Sequence, residues 1–172
     1  PNSDISTIVV PPAQMVANMK VGSMDTFCVC EPWNEQLINQ KIGYTALTTS
    51  ELWHNHPEKA LGMRADWVDA NPNAAQALLK AVMEAQMFCE DPANREEVAK
   101  ICSKRRWINA PFNDVVERMK GNFDYGNGKV VENSDNQMRY WKDNASYPYK
   151  SHDKWFITED IRWGYLPQDL DM

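Results

Sequence analysis

Residues 22–33, GSMDTFCVCEPW, constrain the fold of this chain more than any other stretch. Gly22 follows a short Met-rich run that reads as a helix, and it permits a tight turn. Thr26-Phe27-Cys28-Val29-Cys30 is too short and too β-prone for a helix and reads as a buried strand. It runs into Glu31-Pro32-Trp33, where proline suits the first turn of a helix because its missing N–H is not needed there. A buried strand that ends at a helix N-terminus is where α/β proteins place ligands, and the free N–H groups favour anions. The stretch points to binding rather than to catalysis.

The same rhythm fills the first third of the chain. Ile5 to Val10 reads as a strand closed by Pro11-Pro12, and Ala13 to Val21 as an amphipathic helix with Met15, Val16 and Met19 at helical spacing. A helix from Pro32 to about Gln40 carries Trp33, Leu37 and Ile38; Gly43 breaks it, and Tyr44 to Leu47 reads as a strand. This β-α-β-α-β order with short connections is the pattern of a parallel sheet. Thr48 to Lys59 is polar and reads as a crossing between lobes, and Ala60 to Arg64 as a further strand. Asn71-Pro72 starts a helix with Ala75, Leu78, Leu79, Val82 and Met83 on one face, which Asp91-Pro92 ends. Asn94 with Glu97 predicts a capping box for a helix to about Ser103, and a third helix runs from Pro111 to about Met119. Tyr125-Gly126-Asn127-Gly128 predicts a hairpin or loop tip, and the aromatic-rich remainder predicts helices at about Ser134 to Asp143 and Ser151 to Trp163.

Charge and motifs narrow the function class. With 24 acidic and 18 basic residues the formal net charge is −6, which argues against a nucleic-acid surface. The one compact basic run, Lys104-Arg105-Arg106, sits at a predicted helix end, where cations complement the dipole. Most of the seven tryptophans are expected to pack in cores or between lobes. No run approaches the roughly 20 apolar residues of a membrane span. The chain opens on Pro1 and its first apolar run resembles an interior strand, so it reads as a piece of a longer protein. Cys28 and Cys30, two apart on one strand, point the same way; that is poor for a mutual disulfide and wrong for a C-x-x-C site. Cys89 and Cys102 flank a helix–turn–helix, and both a disulfide and reduced thiols fit.

His54-Asn55-His56 has no third ligand nearby, so no metal is expected. A nucleophilic cysteine has no base in reach, Gly126-Asn127-Gly128 lacks the strand and tail of a phosphate loop, and Asp124 to Lys129 has too few oxygens for calcium. No catalytic constellation and no cofactor are expected. Lys59, in His56-Pro57-Glu58-Lys59, stands where the α/β unit hands over to the helical part. Its ammonium suits an anion held over the Pro32 helix; the plain alternative is a surface lysine paired with Glu58.

Resemblance decides more. The run Val9-Val10-Pro11-Pro12-Ala13-Gln14-Met15-Val16-Ala17-Asn18-Met19-Lys20, the segment Glu31-Pro32-Trp33-Asn34, His56-Pro57-Glu58-Lys59, Gly62-Met63-Arg64-Ala65-Asp66-Trp67 and residues Asn144 to Asp153 resemble the nitrate/bicarbonate-type solute-binding proteins of cyanobacterial ABC transporters. The likeness runs along essentially the whole chain and is strongest to the nitrate-binding branch. It implies the latter part of an α/β, type II periplasmic-binding fold: 1–57 in the second lobe, and 58–172 crossing and returning to the first. It also implies a periplasmic protein that captures nitrate or nitrite for permease and ATPase subunits, held at the plasma membrane by a lipid anchor in an N-terminal portion. Lys59 matches the lysine that contacts nitrate, where bicarbonate-binding relatives carry an acidic, calcium-holding residue. Val29, Cys30, Glu31 and Pro32 match the segment that lines the cleft, and several relatives have glycine in place of Cys30. The alternatives in the same resemblance are a bicarbonate-binding paralogue and a binding-protein-like regulatory domain on a transporter ATPase subunit.

Overall fold

Proline and capping chemistry set the helix starts, and the gaps between helices are irregular chain. The computed structural model describes residues 4–170. In chain order the elements are α1 (Pro12–Lys20), α2 (Trp33–Asn39), α3 (Thr49–Leu52), α4 (Ala65–Ala70), α5 (Pro72–Glu90), α6 (Arg95–Cys102), α7 (Phe112–Lys120), β1 (Phe123–Asp124), β2 (Val130–Val131) and α8 (Lys150–Arg162). Among the described residues no helix is long and apolar enough to cross a membrane. Two compact units emerge: the described residues through His54 with Asp91–Met138, and Asn55–Glu90 with the described residues from Arg139 on. The sequence places a change of lobe after residue 57, close to the first of these junctions; the return of Asp91–Met138 to the first unit carries no sequence signal.

The first unit has two apolar clusters. Val16 of α1 meets Trp33 and Leu37 of α2, with Met19, Phe27, Val29 and Ile42 packed against them. Ala99 of α6, fully buried, meets Ala110, Val115 and Val116, so the small side chain lets α6 and α7 approach closely. Gly121 ends α7 in the left-handed region at φ 88°, and an antiparallel hairpin follows, with Phe123 opposite Val131 and Asp124 opposite Val130. The expected hairpin tip is therefore present. Gly126 at its tip has φ 77°, and a Cβ there would stand 3.1 Å from the Gly43 carbonyl oxygen, so the tip can approach only as glycine.

The four strands expected at Ile5 to Val10, Thr26 to Cys30, Tyr44 to Leu47 and Ala60 to Arg64 do not form ladders; all four segments are irregular. Apolar, β-branched composition makes a segment fit for a strand, but a strand exists only where a neighbour pairs its backbone groups. Among the described residues two backbone bonds reach these segments, from the Thr45 N–H to the Tyr125 carbonyl at 2.8 Å and from the Val68 N–H of α4 to the Arg64 carbonyl at 3.0 Å, and neither starts a ladder. Helix α2 ends before Gly43: Lys41, not the glycine, takes the left-handed conformation at φ 56°. Gly43 instead leaves room for Leu37, whose Cδ2 would lie 2.9 Å from a Cβ.

Caps differ from expectation too. Asn94 is helical at φ −94°, ψ −9° and makes no side-chain cap; Asp91 accepts the Ala93 N–H at 2.9 Å and starts a 3-10 turn that leads into α6. The cap missed in the sequence is at α3, where Glu51 reaches back to the Thr48 N–H at 2.6 Å. The same carboxylate accepts Lys129 Nζ at 2.7 Å and the Tyr125 hydroxyl at 3.1 Å, tying α3 to the hairpin. The Lys129 and Thr48 hydrogen bonds hold the Glu51 carboxyl down to about 2. Glu51→Gln is expected to lower the unfolding free energy at pH 7 by about 1 kcal/mol, read by urea denaturation. Because the folded value lies below that of an unfolded glutamate, about 4.3, the contribution is full above that pH and fades as pH falls toward 2. The gap between wild type and variant should close across that window; equal midpoints at pH 7 would rule the clamp out.

In the second unit α4 packs against α5, which begins at Pro72 as expected. The Asn71 amide serves the end of α4, donating to the Trp67 carbonyl at 3.0 Å. The apolar face of α5 stays largely exposed, with Leu78 at 44% and Leu79 at 46%, and Ala75 is the buried apolar residue among those described in this unit. Periodicity marks a face, but burial needs an opposing layer, which the described residues of this unit do not provide. The tryptophans depart from expectation too: Trp33 is buried and the other six are at least 36% exposed. The helix expected at Ser134 to Asp143 is a chain of turns. Asn133, Asp143 and Asn144 all have positive φ, and the N–H groups of Tyr140, Trp141 and Lys142 turn to the Glu90 carboxylate at 2.7, 2.8 and 3.2 Å. Helix α8 matches its expected span.

Candidate functional site

The segment Val29 to Pro32 is held from three sides within the first unit. Val29 is half-buried against the Val16, Trp33 and Leu37 cluster, and its carbonyl accepts the Asn34 side-chain amide at 2.9 Å. Pro32 is buried immediately before α2, after a cis Glu31–Pro32 peptide bond. Cys30 faces outward and is exposed, as is Cys28. The expectation of buried thiols therefore fails: the side of the segment that meets the core is that of Phe27 and Val29.

Glu31 changes the reading of the α2 N-terminus. Its carboxylate accepts the Glu35 N–H at 3.1 Å, so the anion expected over this helix end is the protein's own. Arg118 reaches in from α7, 3% exposed, with Nε donating to Glu35 at 2.6 Å and 3.6 Å from Glu31. Its Nη2 donates to the Asp124 carbonyl at 2.7 Å, its guanidinium lies 4.6 Å from the Phe123 ring centroid, and its buried Nη1 has no partner among the described residues. Asp114, also buried on α7, accepts Gln36 and Asn39 of α2 at 3.2 and 2.7 Å. Burial pushes the Glu35 carboxyl up against the opposing pull of Arg118. Glu31 keeps a third of its side chain in solvent, yet desolvation of its carboxyl also pushes it up. One guanidinium thus serves two carboxylates, and this end of α2 has no cationic surplus to offer a ligand.

Lys59 belongs to the second unit, on the irregular segment before α4. Its ammonium lies 3.2 Å from Glu58, and its side chain is 75% exposed. Val29, Cys30, Glu31 and Pro32 are together in one unit and Lys59 is in the other. His56 Nδ1 lies 2.9 Å from the Pro57 carbonyl, and among the described residues no three His, Cys, Asp or Glu side chains are grouped to hold a metal ion. Among the described residues no disulfide joins any of the cysteines. Sequence reasoning missed Glu35, Arg118 and Asp114. The available signal was spacing: Asp114 and Arg118 stand four apart on one helical face, beside the apolar positions, and Glu31 stands four before Glu35, at the reach of a helix N-terminus.

The NMT1-like family profile matches residues 1–103, more than half of the sequence, and the chain belongs to that family. Within it, the chain is 61% identical to the nitrate/nitrite binding protein NrtA of Nostoc sp. strain PCC 7120, over 98% of this chain and 38% of that protein. The crystal structure of the periplasmic nitrate-binding protein NrtA from Synechocystis PCC 6803 matches with a TM-score of 0.94 at 61% identity, over 99% of this chain and 45% of the other. The bicarbonate-binding protein CmpA of Synechococcus elongatus strain PCC 7942 is 41% identical over 99% of this chain and 39% of its own length. The chain thus spans less than half the length of these relatives. Its helix-rich α/β fold is part of the binding-protein fold of the Synechocystis structure, as the sequence implies.

Proposed function

We propose that this chain is part of the substrate-binding component of an ABC transporter that captures nitrate, and nitrite with it, in the periplasm. The observation that carries the reading is the 61% identity to nitrate-binding relatives over nearly the whole chain, against 41% to a bicarbonate-binding one. No bond is made or broken in this role. Nitrate is flat and monovalent, so one ammonium and a few neutral donors balance it without leaving a buried charge unpaired.

Lys59 is the cation in this reading. Its side chain is 75% exposed, and ion pairs at such exposure contribute little, so the Glu58 contact does not hold the ammonium away from an anion. The Val29 to Pro32 segment supplies part of the wall, with Cys30 turned outward, Glu31 turned back onto its own helix, and Val29 and Pro32 fixing the backbone behind them. The partners are the permease and ATPase subunits of the transporter, with a lipid anchor tethering the component to the plasma membrane.

The test grafts this chain into the Synechocystis relative in exchange for the segment it matches. Calorimetric titration with nitrate should show one site, with bicarbonate giving no heat. Lys59→Glu is expected to weaken nitrate binding at least about tenfold, the loss of one charge-assisted hydrogen bond and its replacement by a like charge. A graft that takes up bicarbonate but not nitrate would overturn the substrate. Unchanged nitrate affinity in Lys59→Glu would overturn the role of Lys59.

A further inference from the structure

We propose that Asn34 is a positioning residue of the anion site: its side-chain amide holds the Val29 carbonyl and so turns the Cys30 N–H to the anion as a neutral donor. The inference rests on the nitrate-binding reading above and names one of the neutral donors that reading requires. Asn34 stands in the first turn of α2 and is half-buried. Its Nδ2 donates to the Val29 carbonyl at 2.9 Å, five residues back along the chain. Among the described residues the cis peptide bond is Glu31–Pro32, so the Val29–Cys30 peptide is trans. In a planar trans peptide the C=O and the following N–H point in opposite directions. With the carbonyl fixed toward Asn34, the Cys30 N–H is fixed away from it. The Val29 side chain packs on the Val16, Trp33 and Leu37 cluster, so this peptide is held at its side chain and at its carbonyl.

Among the described residues no backbone acceptor pairs with the Cys30 N–H, which leaves it to a ligand. Two stronger donors nearby are already engaged. Glu31 takes the Glu35 N–H at 3.1 Å, and Arg118 is divided between Glu35 and the Asp124 carbonyl at 2.6 and 2.7 Å. Neither the end of α2 nor the buried guanidinium is therefore on offer, and a peptide N–H of the wall segment takes that part. Nitrate spreads its charge over its oxygens. A neutral N–H aimed at one of them adds a charge-assisted hydrogen bond without a second cation beside Lys59. Orientation is what Asn34 contributes. Without its amide the peptide is free to turn and present the Val29 carbonyl, an acceptor that repels an anion. The loss then falls on affinity more than on the fold.

The test uses the graft into the Synechocystis relative, isotope-labelled in the valine carbonyl and the cysteine nitrogen for NMR, because Val29–Cys30 is the one Val–Cys peptide of this sequence. Nitrate should move the Cys30 amide proton downfield in the unsubstituted graft. Asn34→Ala and the near-isosteric Asn34→Leu both lack the donor. Each should shift that signal before nitrate is added and damp its response to nitrate. Each should also weaken calorimetric nitrate binding about tenfold, the loss of one hydrogen bond to a charged group. Asn18→Ala removes a bond of the same kind on α1, from Nδ2 to the Gln14 carbonyl at 2.8 Å, and should leave nitrate affinity unchanged. If the Asn34 variants unfold more easily but keep the amide response and the affinity, the residue serves the fold alone and the proposal falls. It falls too if the graft binds nitrate and its Cys30 amide does not move; in both cases the nitrate reading stands. A graft that binds no nitrate overturns both.

Discussion

Arg118→Met is expected to lower the stability of the first unit by about 3–5 kcal/mol, the range for removing one partner of a buried ion pair. The guanidinium is 3% exposed and bonds Glu35, itself 5% exposed, at 2.6 Å. Methionine keeps the volume and apolar stem but leaves the Glu35 carboxylate buried without its cation. The Glu35 carboxyl is already pushed above its usual value, and loss of Arg118 removes the main opposing pull. A carboxyl whose folded value is raised is harmless while protonated and destabilising once ionised. The deficit of Arg118→Met should therefore be small below the usual glutamate value, about 4.3, and grow as pH rises through the raised one. Urea unfolding from pH 4 to 8 measures this directly. Adding Glu35→Leu should recover most of the loss at pH 7, because an apolar pair replaces the orphaned charge. A loss below 1 kcal/mol in the single variant, or no recovery in the double, would contradict the account.

Glu90→Ala should release the turn at Tyr140 to Lys142. One carboxylate oxygen accepts three consecutive backbone N–H groups there, and it joins the end of α5 to a segment about fifty residues on. Charge-assisted bonds of this kind are stronger than neutral ones, but water reaches the turn and replaces part of them. The expected loss is about 2 kcal/mol, seen as roughly thirtyfold faster hydrogen exchange at the three amides. Glu90→Gln, which keeps one acceptor oxygen, should fall between. Unaltered exchange in Glu90→Ala would show that the turn holds its shape without the carboxylate.

What was legible in the sequence was local. Pro12, Pro72 and Pro111 sit at or just before helix starts because proline fits there and nowhere deeper, and Tyr125-Gly126-Asn127-Gly128 marks its turn through residues that tolerate positive φ. Strands are decided by partners elsewhere in the chain, so Thr26 to Cys30 carries strand composition but no ladder. The alternation within that segment was readable, but the depth of its burial was not. For the site, the motifs around Glu31 and Lys59 were readable as motifs. That Arg118 answers Glu35 depends on a contact across 83 residues that no local window contains.

That separation also bears on how the protein is made. The first unit is discontinuous: its opening portion through His54 leaves the ribosome long before Asp91–Met138, and Asn55–Glu90 is synthesised between them. At roughly 5–20 residues per second, the 83 residues from Glu35 to Arg118 take about 4–17 s to translate. For that interval α2 waits with acidic side chains that have no guanidinium to meet, while the Asn55–Glu90 part of the second unit emerges. The buried pair is thus a late lock on the first unit, and nascent chains stalled before residue 118 should hold that unit open.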